Sequence, residues 1–383
     1  MHFLVINSGS SSLKFSYFHN EACVVSGLCE ELNSDRSRMK WEIDGKKEAI
    51  NLVMHTHKDA INEVRAKLGN IIDFAKIDVV VHRVVHGGEE FRSPLIVTKE
   101  NLEKLQELNS LAPLHNPPNL LGIEVMMELV LGAKQIAIFD TAFHATLPQK
   151  AFLYGIPYEF YKKYHIRKFG FHGSSHAFVY SEAKKIASNH SRVITAHLGN
   201  GSSLCAIKDG KSVDTTMGFT PLEGTLMGTR SGTIDPAIVT FLMAKESLSI
   251  SEVEKVLNKK SGLLGLSEIT SDMRILESQL ETHAGAKRAI EVFCYHLVKF
   301  IGSYAAVLNG LDVLVFTGGI GEKSPIVRRA VCKELAYLGV ELDEEKNSKN
   351  EQEISAVNSK VKILVIKTNE ELEMVREAKK LIA

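Results

Sequence analysis

The sequence predicts an α/β fold with mixed sheets, organised in two related halves. Two observations carry this. Short strand-type runs alternate with segments of helical spacing along the whole chain. Two strand-plus-glycine-turn units also recur in the same order in each half. The 383 residues suffice for two or three domains. With 46 basic and 46 acidic side chains, no net field steers the molecule to nucleic acid or an acidic membrane, although a local basic site is still allowed. The five cysteines are odd in number and irregular in spacing, so neither a disulfide framework nor a zinc ribbon is expected, and a reducing compartment fits better.

The chain opens with 3-FLVIN-7, a short strand that runs into Ser8-Gly9-Ser10-Ser11-Ser12, and 13-LKFSYF-18 alternates as its hairpin partner. The start lacks the basic and small-residue pattern of a secretory leader, and a cytoplasmic protein is expected. Ile61, Val64 and Leu68 mark a helix that ends at Gly69-Asn70. The run 78-DVVVHRVVHGGE-89 is a buried-type strand stopped by paired glycines, and a helix follows near 98–109. Pro113, Pro117 and Pro118 predict an ordered loop across 111-LAPLHNPPN-119, with Pro118 able to open the next helix. The strand 135-QIAIFD-140 ends on an acid.

The second half repeats this grammar. Strand 193-VITAHL-198 turns through 199-GNGSS-203 into Leu204–Lys208, so that 9-GSSSL-13 superposes on 200-NGSSL-204. Likewise 78-DVVVHRVVHGGE-89 lies over 312-DVLVFTGGIGE-322. Between them runs a long helix from about Ala286 to Leu308. The apolar stretch Phe300–Phe316 contains Asn309 and Asp312 and reads as core, not as a membrane span. Residues 344–360 read as a solvated surface excursion. Strand 361-VKILVI-366 and a helix capped by Asn369 close the chain. By analogy with the duplication, a domain boundary is expected near 141–151.

Three glycine-rich turns each follow a strand: 7-NSGSSSLK-14, 197-HLGNGSS-203 and 317-TGGIGEKSP-325. Glycine lets successive backbone N–H groups approach an anion, and three such turns suggest a nucleotide with several phosphates. None of them meets the spacing of a P-loop or of G-x-G-x-x-G. Arg83 lies inside a strand and Arg230 inside 226-LMGTRSGTIDP-236. An isolated arginine is more often a structural ion pair. Here both flank other unusual polar residues, and anion binding is expected. Asp140, at the carboxyl end of its strand, is equally read as a turn cap or as a ligand-facing carboxylate. His172 sits between glycines in 169-FGFHGSSH-176, and His115 in the proline-bounded loop. The pairs His82/His86 and His172/His176 lack the acid of a zinc helix, and Gly173 argues against a helix through the second pair. Cys205 reads as core.

Taken in order, 5-VINSGSSSLK-14, 82-HRVVHGGE-89, 111-LAPLHNPPN-119, 139-FDTAFH-144, 169-FGFHGSSH-176, 197-HLGNGSS-203, 218-GFTPLEG-224, 227-MGTRSG-232, 317-TGGIGE-322 and 369-NEE-371 closely resemble the acetate kinase family. The resemblance spans essentially the whole chain. It implies the acetate and sugar kinase/Hsp70/actin fold: duplicated, ribonuclease H-like α/β domains with mixed sheets and an interdomain active-site cleft. Residues 1–145 with the C-terminal helix 372–383 would form the substrate-side domain, and 146–371 the nucleotide-binding and dimer-forming one. It further implies a cytoplasmic homodimer that uses ATP/ADP with Mg2+, or Mn2+, to phosphorylate acetate to acetyl phosphate. No nucleic acid or membrane partner is implied.

By position, the resemblance assigns Asn7 and Glu370 to the metal. It assigns Ser10, Ser12, Lys14, His197, Leu198, Gly199, Asn200, Gly201, Asp272, Met273, Arg274, Gly319, Ile320, Gly321, Glu322 and Lys323 to ATP. Arg83 would bind the substrate, with His115 nearby. Val85, Leu114, Phe171 and Pro221 would shape a pocket for its methyl group. Asp140 would be the catalytic carboxylate, with Arg230 and His172 on the transition state. Lys323 departs from the Asn that family members commonly carry there. Acetate is already ionised at neutral pH, so its attack on phosphorus needs no general base. It needs positive charge and positioning, and direct in-line transfer is expected. The alternative within the superfamily is a propionate or butyrate kinase.

Overall fold

The Gly/Ser turn folds as its composition dictates. In the computed structural model, which describes residues 1–383 other than Leu114, β1 (His2–Ser8) and β2 (Ser12–His19) pair antiparallel, and Gly9 N–H donates to the Ser12 carbonyl at 2.8 Å. The expectation that Leu114 lines a pocket therefore lies outside the described residues. β3 (Ala22–Glu30), β4 (Arg38–Ile43) and β5 (Lys46–Asn51) continue the sheet outward. β6 (Val79–Val84) joins β1 in parallel, and β8 (Lys134–Phe139) joins β6 in parallel. The short β7 (Leu95–Ile96) edges β8, giving the order β5-β4-β3-β2-β1-β6-β8-β7.

A second sheet contains β9 (Arg192–Leu198), β10 (Ser202–Lys208), β11 (Lys211–Thr215), β12 (Val313–Thr317) and β13 (Lys362–Val365), in the order β11-β10-β9-β12-β13. That order and its strand directions repeat β3-β2-β1-β6-β8 of the first sheet. The chain divides into two compact units, residues 1–142 with 369–383, and residues 143–368.

In the first unit the C-terminal helix Glu370–Ile382 starts where the Asn369 side chain accepts from Leu372 N–H at 3.0 Å. Its Met374, Val375 and Ala378 pack with Phe3, Val5, Val79 and Val81, so the end of the chain covers its first strand. Full burial of a side chain such as Val375 stabilises by about 1.5–3 kcal/mol, enough to fix the helix there. In the second unit the 25-residue helix Ala284–Leu308 lays Phe293, Leu297 and Ile301 in the core with Ile194, Leu314 and Phe316. It is long and apolar enough to cross a membrane, but this face is the core stripe the sequence predicts.

Four local expectations need correction. The helix Asn116–Leu129 begins inside the predicted 111–119 loop, because Pro117 and Pro118 occupy the first turn, where an N–H has no intrahelical partner. The third glycine turn is itself a short helix, Gly318–Lys323, entered through Gly318 at φ +75°. Gly173 does not exclude a helix. It is the first residue of Gly173–Ile186, with His172 as the N-cap at φ 56°. The 344–360 excursion is partly structured: Asn347 is buried, and its side-chain carbonyl accepts from the buried Arg328 Nε at 2.8 Å. Arg328 also donates to the Gly321 carbonyl at 2.8 Å.

Candidate active site

In the first unit the parallel neighbours β1, β6 and β8 bring their carboxyl ends to one edge, where α/β sheets bind ligands. Asn7 and Arg83 are next to last in β1 and β6, and Asp140 directly follows β8. Arg83 Nε donates to Asp140 Oδ1 at 2.9 Å, Nη2 to Oδ2 at 2.6 Å, and Nη1 reaches Asn7 Oδ1 at 3.4 Å. The Asp140 side chain is 3% exposed and that of Arg83 25%. The carboxylate thus serves the guanidinium, while the arginine side chain stays partly exposed. Burial works against the charge on Arg83, but Asp140, then Glu370 and Glu371, outweigh it and raise its pKa. Burial pushes the Glu370 carboxyl upward. Asp140 and Glu371 act in the same direction, and Arg83 and Lys14 oppose them. Lys14 pairs with Glu371.

The loop after β6 is held from the Asn116–Leu129 helix. Asn119 Oδ1 accepts from Val85 N–H at 3.0 Å, and its Nδ2 donates to the Ser8 carbonyl at 2.6 Å. Asn116 accepts from His86 N–H and donates to its carbonyl, at 3.1 and 3.0 Å. These two asparagines tie β1, β6 and the helix together. The repeated Asn in 116-NPPN-119 was the signal for them. Val85 is buried, and His115 is exposed at the start of the helix. Ser10 is exposed in the first hairpin turn and Ser12 half-buried. The side-chain oxygens of Asn7 and Glu370 suit a small hard cation, and the raised Glu370 carboxyl is what such a cation would relieve. Among the described residues no group of three or more His, Cys, Asp or Glu could enclose a metal.

In the second unit His172 carries its imidazole on a left-handed residue, a conformation in which histidine is enriched and which costs of order 1–3 kcal/mol. His172 Nδ1 contacts Ser203 Oγ at 2.8 Å, and its ring lies 4.3 Å from that of His197. Arg230 Nη1 donates to the Pro221 carbonyl at 2.7 Å, and burial lowers its pKa. A Cβ on Gly201 would lie 2.6 Å from Arg230 Nη2 and 3.4 Å from His172 Nε2. Gly201 therefore leaves both side chains room beside the backbone of the second glycine loop. Phe171 is buried, and its carbonyl contacts His144 Nε2 at 2.9 Å.

A cavity of about 390 Å³ in this unit is lined by Gly199 and Asn200, by Asp272, Met273 and Arg274, and by Gly319, Ile320 and Lys323. These come from three of the expected nucleotide segments. Others of that set do not line it. Leu198 is fully buried, the Gly321 carbonyl serves Arg328, and Glu322 accepts from the N–H groups of Gly318 and Thr368 at 3.1 and 3.2 Å. Lys14, Ser10 and Ser12 belong to the first unit. Arg274 makes a two-point pair with Asp272, at 3.0 and 2.6 Å. Sequence reasoning missed Glu277, which also lines the cavity and is bonded by the Ser324 hydroxyl. Burial raises its carboxyl pKa. Its i,i+4 spacing from Met273 was the available signal.

Comparison with known proteins fits this geometry. The acetokinase family model matches residues 2–376. The chain belongs to the acetokinase family. It is 49% identical to an acetate kinase from Thermosipho melanesiensis, over 99% of this chain and 97% of that one. The structure matches the crystal structure of Porphyromonas gingivalis acetate kinase with a TM-score of 0.95 and 38% identity, over 100% of both chains. It also matches a propionate kinase from Francisella tularensis with a TM-score of 0.94 and 41% identity, over 98% of both. As a member of the acetokinases it is an enzyme, a kinase with a carboxylate acceptor.

Proposed function

We propose that the chain transfers the ATP γ-phosphoryl group reversibly to acetate, giving acetyl phosphate and ADP. The observation that carries this at the level of residues is the Arg83–Asp140 pair. It is a guanidinium fixed by two bonds to a buried carboxylate, with Nη1 held only by a long contact to Asn7 at 3.4 Å. Arg83 binds the acetate carboxylate, and Asp140 orients Arg83 instead of attacking phosphorus. An acetate oxygen forms the new bond to the γ-phosphorus as the bond to the bridging oxygen of ADP breaks, in line and without a phosphoenzyme. His172 Nε2 and Arg230 Nη2 donate to the phosphoryl oxygens as charge spreads over them. The second-unit cavity takes the adenosine, and the 197–201 and 319–323 segments lie along the phosphates. Asn7 and Glu370 would hold Mg2+, which would supply neutralising charge for the phosphates.

In this reading Val85, Phe171 and Pro221 are the residues assigned to the acetate methyl group, and His115 to its carboxylate. The likeness to a propionate kinase keeps a propionate-selective enzyme as the second reading. A methylene in an apolar pocket is worth about 1–3 kcal/mol, so some propionate turnover is expected in either case. The test is steady-state turnover of acetate, propionate and butyrate with Mg-ATP, trapping the acyl phosphate as hydroxamate. Acetate should give the highest kcat/KM by about tenfold. A maximum at propionate would replace acetate as substrate, and ATP consumption without hydroxamate would overturn the transfer reading. A cytoplasmic homodimer completes the proposal. The helix Ala237–Glu246 buries none of its side chains and exposes Ile238 and Phe241, a face suited to a second copy. Sedimentation equilibrium at twice the chain mass would support it.

A further inference from the structure

Behind His172 runs a line of buried hydroxyls and imidazoles that the phosphoryl chemistry does not itself use. Thr195 Oγ1 contacts His176 Nδ1 at 2.7 Å, His176 Nε2 contacts Ser203 Oγ at 2.8 Å, and Ser203 Oγ contacts His172 Nδ1 at 2.8 Å. Thr195, His176 and Ser203 are each fully buried.

The direction of these hydrogen bonds follows from counting hydrogens. Among the described residues the Thr195 hydroxyl has one hydrogen-bond partner, His176 Nδ1. A buried hydroxyl hydrogen without an acceptor is costly, so Thr195 donates and His176 Nδ1 accepts. Burial, and then the neighbouring His144 and His197, push the His176 pKa well down, so the ring is neutral and carries one hydrogen. That hydrogen must be on Nε2, and it is donated to Ser203 Oγ. Ser203 then has its own hydrogen left for one other partner, His172 Nδ1. With Nδ1 accepting, His172 carries its proton on Nε2. This is the nitrogen that lies with Arg230 Nη2 beside Gly201. Running the line backwards would strand the Thr195 hydrogen.

We propose that Thr195, His176 and Ser203 are positioning residues that fix His172 as the Nε2–H tautomer, so that it presents a donor to the transferring phosphoryl group. The proposal rests on the reading that His172 touches that group. The helix N-cap conformation sets where the ring sits, and the buried line sets which nitrogen carries the proton.

The test uses the full-length protein labelled with 15N-histidine. Two-bond 1H–15N correlations separate the tautomers, and the His172→Gln spectrum assigns the His172 signals. The expected wild-type form is Nε2–H. Thr195→Val removes the hydrogen that sets the direction. It should mix the His172 tautomers and lower kcat by about tenfold, short of the roughly 10²–10³ that a fully lost donor costs. Both KM values should stay within about twofold, and Thr195→Ser should restore spectrum and kcat together. If Thr195→Val does not fold, Ser203→Ala breaks the line one step nearer His172 and should give the same mixing. An Nδ1–H form in the wild type, or a tautomer that neither variant changes, would overturn the proposal. The tautomer is read without turnover. Full activity in His172→Gln would therefore sink the role of His172 at the phosphoryl group and leave the relay to be judged on the spectrum.

Discussion

The two sheets share one strand order but treat their two edges differently. At the amino edge they are near copies. Asp78 accepts from His2 N–H at 2.7 Å, and Asp312 from Arg192 N–H at 2.9 Å. Asp78 and Asp312 donate their own N–H to those same residues' carbonyls at 3.0 and 2.9 Å, and their carbonyls accept from Lys134 and Lys362 at 3.0 and 2.9 Å. At the carboxyl edge the likeness ends. The position of Arg83 in β6 is taken by Thr317 in β12, whose buried hydroxyl has no hydrogen-bond partner among the described residues. The duplicated scaffold has kept its geometry where it anchors strands. It has diverged where one half carries charge and the other opens into a glycine-rich helix.

The sharpest way to break this contrast is at Arg83. Arg83→Ala should lower kcat/KM for acetate by about 10³-fold or more, measured at steady state, because the guanidinium is lost and Asp140 is left unpaired. Arg83→Lys should recover only part of this, since an ammonium cannot make the two-point contact. A second effect concerns the buried histidines. His82, His86 and His144 are buried, and desolvation lowers each from 6.5 to about 4. The unfolded chain takes up protons between those values while the fold refuses them. Their contribution is therefore complete above about pH 6.5 and is lost as pH falls toward 4, by up to roughly 3 kcal/mol apiece. Urea denaturation at pH 7.5, 6 and 5 should show the fall, and a flat profile would contradict it.

Smaller effects test the likeness itself. Asp78→Ala and Asp312→Ala should each destabilise by about 1–3 kcal/mol in denaturant melts, with kcat of the folded fraction unchanged. Asp312 should lie at the upper end because it also pairs with Arg192. Thr317→Val should be smallest, within about 1 kcal/mol in either direction, because it removes an unsatisfied hydroxyl. A large loss of activity there would mean that the second carboxyl edge is not the quiet counterpart of the first.

Much of this was legible in the chain. Gly/Ser turns and alternation placed both hairpins, and matching strings placed β6 and β12 as corresponding strands. Arg83 was picked out as a charge inside one strand and Asp140 as an acid at the end of another. What failed to show depended on distant contacts. Nothing local to 344–360 reveals that a buried arginine draws Asn347 inward. Gly173 looked like a breaker because helix propensity says little about a first helical residue. Glu277 had only a helical offset to mark it. The His176–Ser203 line needs a strand and a helix brought together, which spacing in the sequence does not supply.

Arg328 carries a practical consequence. Its guanidinium bridges the 344–350 segment and the Gly321 carbonyl of the Gly318–Lys323 helix, and burial lowers its pKa to about 10. An engineer choosing where to shorten the chain or insert a tag would pick 344–360, the most polar and repetitive stretch. Cutting there would remove the acceptors of a buried cation and loosen one wall of the second-unit cavity from behind. The segment that looks most expendable is thus a poor place for a deletion, and better sites lie at exposed turns such as Asp44-Gly45, whose glycine has open space around it.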